Sequence, residues 1–340
     1  MYFCQLSKFN PMRPVRYLLL LLLFIAALYS CNKDLNVNAD WKDVTVVYCL
    51  LDQTDDTTFL KITKAFLGEG DALMFSKIPD SSNYPDKLEV RLDEYDDTTF
   101  QKSYPCDTIT IHNKEKGDSV FYYPDQLMYF TTAQLNQNYT YKLYIRNKNT
   151  GKVITAQTKL VHDFEIKKPQ SIASFPPGQM FEVNWTPAQK GKRYQLLIRF
   201  FYTESTVAHP VVTTMKSLDW LVFNDVKAID DETTYPFDLY FPGDAFYSVV
   251  GANIDTNSLV TRQAHHCYFI FSVAASELNT YMEVTEPSLS LVQEKPPYTN
   301  IVNGIGLFSS RFIKWSDSLD ISSLTKAELK VNVHTSDLGF

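Results

Sequence analysis

Apolar and polar residues alternate along much of this chain, with the period of two that is typical of antiparallel strands. Leu88, Val90 and Leu92 alternate with charged residues, and residues 139–146 repeat the pattern. Successive side chains of a strand point to opposite faces, so this period indicates strands with one buried face and one solvated face. Several such strands separated by turns predict an N-terminal β-sandwich over residues 43–168.

A second set of strands begins after the Pro-rich break near residue 169. Alternation leads to Trp185, a polar loop follows, and Tyr194 opens a further alternating segment. This arrangement resembles strands B and C of fibronectin type III domains. We therefore predict a mainly β protein, in which residues 169–340 form a fibronectin-like β domain with short helices near residues 242–250 and 276–284. Trp185 and Tyr194 are predicted to lie in its core.

The amino-terminal residues have the composition of an export signal. A basic flank precedes eleven apolar residues from Leu18 to Leu28, too few for a membrane-spanning helix. The run ends in Leu-Tyr-Ser-Cys, which resembles the processing site of bacterial lipoproteins. Residues 1–30 are predicted to be a lipoprotein signal peptide, Cys31 the lipidated residue and residues 31–42 a tether.

Two alternatives stay open at this end of the chain. The segment is also compatible with an ordinary secretory signal that contains a chance cysteine, and Met12 is an alternative start. Asn32-Lys33-Asp34 resembles a surface-export signal of Bacteroidota lipoproteins. The predicted location is therefore the outer membrane, with a lipid anchor and exposure at the cell surface; whether the chain faces the exterior or the periplasm stays open.

Composition excludes several classes of function. The net charge is −7, so the chain lacks the basic character expected of a nucleic-acid-binding protein. Its 11 glycines in 340 residues argue against an architecture built on Gly-rich nucleotide-binding loops. Hydrophobic residues make up 45% of the chain, which is enough to form a packed core.

After processing at Cys31, three cysteines remain: Cys49, Cys106 and Cys267. An odd number cannot form a closed disulfide framework, and we predict buried free thiols. A bridge between Cys49 and Cys106 stays open as an alternative. The absence of a CxxC motif excludes a zinc ribbon and a thioredoxin-type site.

An acidic near-repeat, LDQTDDTTF at residues 51–59 and LDEYDDTTF at residues 92–100, predicts two hairpin turns. Turns favour aspartate because its side chain can bond the local backbone. We predict exposed carboxylates without a bound ion; a calcium site is the alternative, although the spacing is not that of an EF-hand. The six carboxylates are Asp52, Asp55, Asp56, Asp93, Asp96 and Asp97.

Motifs of common enzymes are absent, including GxSxG, HExxH, GxxxxGK[ST] and GxGxxG. The adjacent His265 and His266 are expected to point to opposite faces of a strand and therefore not to bind one metal. The sequence thus predicts no catalytic residue, no cofactor and no metal site, and we expect a protein that is not an enzyme.

The carboxyl-terminal part of the chain carries a family resemblance. The stretches SELNTYMEVTEPS (276–288), VQEKPPYTNI (292–301) and NGIGLFSSR (303–311) resemble an uncharacterised family of Bacteroidota outer-membrane lipoproteins. VVYCLL (46–51) and KAFLGEG (64–70) fit the same family. The resemblance implies a two-part β-rich architecture of the fibronectin or immunoglobulin type and a role in the cell envelope, without an established activity.

Two functional hypotheses follow. The first is a lipid-anchored surface binding or assembly module, accessory to a transporter or an adhesion system of the outer membrane. Its partners would be the membrane itself, through the lipid, and an outer-membrane β-barrel protein or a surface glycan, but not nucleic acid. The second is a surface hydrolase that acts on glycan or peptide.

Overall fold

The structure, a computed structural model, describes residues 44–65, 78, 82–84, 86–112, 124–229, 234–286 and 297–340. The predicted signal peptide, the lipidation residue Cys31 and the tether lie outside these residues and stay predictions. Strands dominate the described part of the chain, and the helices are short. The predicted mainly β fold class is confirmed.

Eight strands form the first sandwich. One sheet has the order β1–β2–β6–β5, and the other has the order β4–β3–β7–β8. Buried apolar side chains from both sheets form one core, as the period of two predicts. The strands are β1 (Val44–Leu51), β2 (Thr58–Ala65), β3 (Glu89–Asp96), β4 (Thr99–Pro105), β5 (Asp107–Ile111), β6 (Gln126–Thr131), β7 (Thr140–Arg146) and β8 (Val153–Lys159).

Tyr141 at the start of β7 fixes the corner between the two sheets. Its hydroxyl accepts a hydrogen bond from the backbone N–H of Asn136 at 2.7 Å and donates one to Glu94 Oε2 at 2.7 Å. A tyrosine that bonds backbone a few residues upstream is a recurring corner of immunoglobulin-like sandwiches. Burial raises the pKa of the Tyr141 hydroxyl, which keeps it protonated as a donor.

The second sandwich contains nine strands, three α-helices and one 3₁₀ turn within the described residues. One sheet has the order β9–β11–β14, and the other has the order β13–β12–β15–β16, with β17 beside β15 and β10 beside β17. The elements are β9 (Ile166–Lys168), β10 (Ile172–Ala173), β11 (Met180–Trp185), β12 (Arg193–Thr206), β13 (His209–Lys227), β14 (Phe237–Pro242), α1 (Asp244–Asn253), β15 (Val260–Ala274), α2 (Ser276–Thr285), β16 (Gly304–Trp315), β17 (Leu319–Ile321), α3 (Ser323–Glu328) and the 3₁₀ turn Ser336–Leu338.

The resemblance to fibronectin type III strands is borne out by the topology. β11 lies in one sheet and β12 in the other, as strands B and C do in immunoglobulin-like sandwiches. Trp185 and Tyr194 are completely buried, as predicted. The Trp185 ring stacks on Phe237 with centroids 4.7 Å apart, and the Tyr194 hydroxyl accepts the backbone N–H of Ala188 at 2.8 Å.

Both predicted short helices are present, as α1 and α2. Ser276 is the first residue of α2 and does not cap it. The N-cap position is Ala275, and it makes no side-chain cap hydrogen bond. None of the helices in the described part of the chain is long and apolar enough to cross a membrane.

β16 joins the two sandwiches because its halves pair with different strands. Gly304–Ser310 pair in parallel with Thr45–Leu51 of β1, and Arg311–Trp315 pair antiparallel with Ile270–Ala274 of β15. Phe308 accordingly packs in the first core, whereas Phe312 packs in the second. One continuous strand therefore contributes to both hydrophobic cores.

The two cores divide the rest of the chain close to residue 160. Leu160 belongs to the first core and Val161 to the second. All of the described residues nevertheless belong to one compact unit. The predicted domain ranges, 43–168 and 169–340, stay a prediction.

Candidate functional site

The candidate site lies on the outer face of the sheet β13–β12–β15–β16. Strand β12 alternates regularly between side chains that face the core and side chains that face outward. The inward set is completely or almost completely buried, and the outward set is only partly buried. Outward-facing side chains on β12 are Gln195, Leu197, Arg199 and Phe201.

Four rings on this face form what we call the aromatic ladder: Phe201, His266, Tyr268 and Trp315. Phe201 stacks on His266 with centroids 4.9 Å apart, and His266 meets Tyr268 edge-on at 5.4 Å. Tyr268 in turn contacts Trp315 at 5.6 Å. Trp315 is 46% exposed, so the ladder presents a large apolar ring to solvent. Strands β12, β15 and β16 each contribute to this ladder.

Both histidines of the pair reach the outer face, so the expectation that they point to opposite faces is wrong. His265 Nε2 lies 3.1 Å from the Thr203 hydroxyl, while the His266 ring stacks on Phe201. The register of β12 and β15 shifts between Phe200 and Tyr202. This bulge sets two residues of β15 against one of β12 and interrupts the alternation that the sequence-based argument assumed.

A charged pair borders the aromatic ladder. Arg199 Nε and Nη2 donate to the two carboxylate oxygens of Asp219, each at 2.7 Å. The Arg199 guanidinium also lies 5.7 Å from the centroid of the Trp315 ring, within cation–π range. Fixed hydrogen-bonding groups therefore stand directly beside the exposed ring.

An open cavity of about 700 Å³ lies on the other side of Trp315. Its lining is rich in polar side chains, including Gln170, Ser316 and Asp317. An ion pair of 2.8 Å joins Lys314 and Asp163 at its wall. Polar groups thus surround the apolar surface of Trp315 from two directions.

A second cavity, of about 370 Å³, lies at the opposite end of the same face, beneath α2. We call it the arginine cavity because Arg193 and Arg311 both line it. The Arg193 side chain is only 6% exposed and is held by Glu286 Oε1 at 2.7 Å and by the Asn224 carbonyl at 3.1 Å. Its Nη1 atom is buried and has no hydrogen-bond partner among the described residues.

Arg311 stands between the arginine cavity and Asp52 of the first sandwich. Its Nε lies 3.6 Å from Asp52 Oδ2, and its Nη2 lies 3.7 Å from Asp55 Oδ2. Both separations exceed hydrogen-bond length. Within the described part of the chain, Arg311 Nε and Asp52 Oδ2 are buried without hydrogen-bond partners.

The acidic near-repeat is only partly exposed, which corrects the prediction for two of its six carboxylates. Asp55, Asp56, Asp96 and Asp97 are exposed, as expected, whereas Asp52 and Asp93 are buried. Asp52 folds back to accept the N–H and hydroxyl of Thr54. Burial raises the pKa of the Asp52 carboxyl above its ordinary value.

Asp93 is buried for a different reason. It lies within β3 and not in the turn. In the strand, the Ser103 hydroxyl and the Arg91 guanidinium contact its carboxylate. The turn of the second copy falls at Asp97, which adopts the left-handed backbone conformation. The two copies of the near-repeat therefore place their first aspartate in different settings.

The three described cysteines are free and buried. Burial raises the pKa of the Cys106 thiol and of the Cys267 thiol to about 12 each. Thiols in such surroundings stay protonated and are poor nucleophiles. Across the described ranges, no group of three or more His, Cys, Asp or Glu residues is arranged to hold a metal ion.

Arg193, Arg199 and Asp219 do not stand out in the sequence as functional residues. Each charged side chain occupies an outward position on a strand, where the pattern alone indicates a solvated face. Comparison with known protein families finds no family that matches this chain, and comparison with curated proteins finds no match. The resemblance to Bacteroidota outer-membrane lipoproteins stays a prediction.

Proposed function

We propose that this chain is a lipid-anchored binding module of the outer-membrane surface, with a surface glycan as its ligand. Glycan binding would serve a transporter or an adhesion system of the outer membrane, to which the module is accessory. The aromatic ladder on the outer face of β12, β15 and β16 is the observation that carries this proposal. A ladder of this kind is a binding surface that needs no catalytic group.

The chemistry of sugars matches the ladder and its border. A pyranose ring has an apolar C–H face and a rim of hydroxyl groups. The exposed Trp315 ring offers a flat apolar surface for the C–H face. The Arg199–Asp219 pair and the polar lining of the neighbouring cavity offer hydrogen-bond donors and acceptors for the hydroxyl groups. Ligand sites commonly combine apolar contact with a few placed polar groups in this way.

The anchor is the second part of the proposal. Cys31 directly follows a short apolar run and a basic flank, so lipid on this residue would tether the sandwiches to the membrane. We expect Cys31→Ala to release the protein from the membrane fraction and to abolish metabolic labelling with a radioactive fatty acid. Labelling of this variant at the wild-type level would refute the anchor while leaving glycan binding open.

Glycan binding is tested with an array of defined neutral and acidic oligosaccharides and the soluble chain from residue 32 onward. We expect wild-type protein to retain at least one oligosaccharide class, and Trp315→Ala to weaken that binding about tenfold or more, since the stacked ring supplies the main apolar contact. Tyr240→Ala is the matched control, because Tyr240 is an exposed aromatic residue on the opposite sheet, 54% exposed against 46% for Trp315.

Three outcomes would contradict the proposal. An array without any bound oligosaccharide would remove the glycan as ligand. Equal binding by wild type and Trp315→Ala would move the site away from the ladder, and equal weakening by Tyr240→Ala would reveal a general loss of stability. Shortening of a bound oligosaccharide during the assay would instead support the hydrolase hypothesis.

A further inference from the structure

We propose that the arginine cavity binds the carboxylate of a uronic acid unit, so that the glycan recognised by this face is an acidic one. Binding of the remaining sugar units rests on the proposed function. Recognition of the carboxylate rests on the arginine cavity alone.

The unpartnered donor of Arg193 points to an acceptor supplied by a ligand. Arg193 Nη1 and Arg311 Nε are buried, and neither has a hydrogen-bond partner among the described residues. A buried donor without an acceptor is costly, and more so when it carries charge. Arg193 cannot swing away to find one, because Glu286 and the Asn224 carbonyl fix its guanidinium. A carboxylate in the cavity would supply an acceptor to Arg193 Nη1, and Arg311 lines the same cavity.

Both arginines of the cavity are ion-paired, so attraction for an anion must come from the unpartnered donor and not from an excess of positive charge. Its lining contains two cations, Arg193 and Arg311, and one acid, Glu286, which is paired with Arg193 at 2.7 Å; Asp225 also pairs with Arg193, at 3.3 Å. Asp52 and Asp55 approach Arg311 only at 3.6 and 3.7 Å. The chain as a whole is acidic, so attraction for the ligand must be local to this cavity and sensitive to salt.

The remaining lining suits a hydroxylated ring. Gln195, Ser272 and Asn224 contribute neutral polar side chains, while Leu278 and Met282 of α2 contribute an apolar wall. A volume of about 370 Å³ is of the size that ligand pockets commonly have. A sugar acid has the matching surfaces: a carboxylate, several hydroxyls and an apolar ring face.

The arginine cavity and the aromatic ladder lie along the same face of β12. Gln195 pairs with Ser272 in the cavity wall, Leu197 with Ile270 next, and Arg199 with Tyr268 in the ladder. At about 3.3 Å per residue, roughly 13 Å separates the Gln195 and Arg199 positions. One oligosaccharide lying along β12 can therefore reach both.

The test compares di- and trisaccharides of D-glucuronate and D-galacturonate with their neutral methyl esters, by calorimetry at low ionic strength. We expect the acids to bind wild-type protein about tenfold or more tightly than the esters, as charge-assisted hydrogen bonds would require. Arg311→Met should remove this preference and Arg311→Lys should retain part of it. Arg146→Met, an exposed arginine on β7 of the first sandwich, is the matched control and should leave the preference unchanged.

The outcomes separate this inference from the proposed function. Equal binding of acids and esters, or no binding of either, overturns the arginine cavity as a carboxylate site. So does a preference that survives in Arg311→Met. Acid-selective binding that depends on Arg311 but not on Trp315 would sustain the cavity and overturn the glycan-stacking role of the ladder. Circular dichroism of each variant establishes that it is folded.

Discussion

At the scale of single residues, Gly306 is a position where the backbone leaves no choice of side chain. It lies within β16 with φ of 114°, a conformation that residues with a Cβ rarely adopt. A Cβ placed there would come within 2.0 Å of the Val47 carbonyl oxygen on β1. The close parallel pairing of β16 with β1 therefore depends on this glycine.

Gly306→Ala is expected to destabilise the fold by about 2–4 kcal/mol, because backbone strain and a clash with the neighbouring strand combine. Gly178→Ala is the matched comparison: Gly178 also has positive φ, at 65°, but a Cβ there would meet open space. Its cost should be about 1 kcal/mol, from strain alone. Urea denaturation of both variants measures the difference, and equal losses would show that contact with β1 contributes nothing.

Burial of single residues could be predicted only where the pattern along the chain determines it. Trp185 and Tyr194 follow from alternation, since their neighbours are polar and the strand has one apolar face. Asp52 and Asp93 could not be predicted, because residues on other strands cover them. Arg311 approaches Asp52 from the far end of the chain, and Ser103 reaches Asp93 from the next strand.

At the scale of elements, the alternation of apolar and polar residues predicts the strands but not which strands pair with one another. β16 reads as a Gly-punctuated turn followed by an apolar strand, and nothing in its own residues indicates that half of it pairs in parallel with β1, more than 250 residues earlier. The bulge in β12 and β15 is equally invisible in the pattern, yet it brings both His265 and His266 to the outer face. The aromatic ladder therefore required the structure to be recognised.

Stretches that carry the family resemblance come together in space. Parts of three of them contribute residues to the arginine cavity or to a neighbouring cavity of about 450 Å³ between β1 and α2. These parts are Val46–Leu51 in β1, Ser276–Thr285 in α2 and Gly304–Arg311 in β16. Leu50, Leu278 and Arg311 line both cavities. The sequence supplied these segments as separate motifs, and the topology of β16 assembles them.

At the scale of the whole molecule, the shared strand makes the two sandwiches interdependent. Phe308 and Ile301 of the carboxyl-terminal part pack in the first core. Arg311–Trp315 of β16 pair with β15 in the sheet of the second sandwich. Separation of the sandwiches would break the β1–β16 ladder and expose these side chains. The arginine cavity, whose lining includes Leu50 of β1 and Arg193 of β12, likewise needs both sandwiches in place.

We therefore expect damage to the first core to destabilise the second. Leu143 on β7 is 1% exposed and lies in the first core, so Leu143→Ala should cost about 2–5 kcal/mol. The probe is the fluorescence of Trp185 and Trp220, which are buried in the second core. Their urea midpoint should fall together with the midpoint seen by circular dichroism, as a cooperative transition requires. Leu259→Ala, at a 68% exposed leucine, should move neither midpoint. If the urea midpoint of tryptophan fluorescence stays unchanged while circular dichroism shows an additional transition at lower urea concentration, β16 does not couple the two sandwiches.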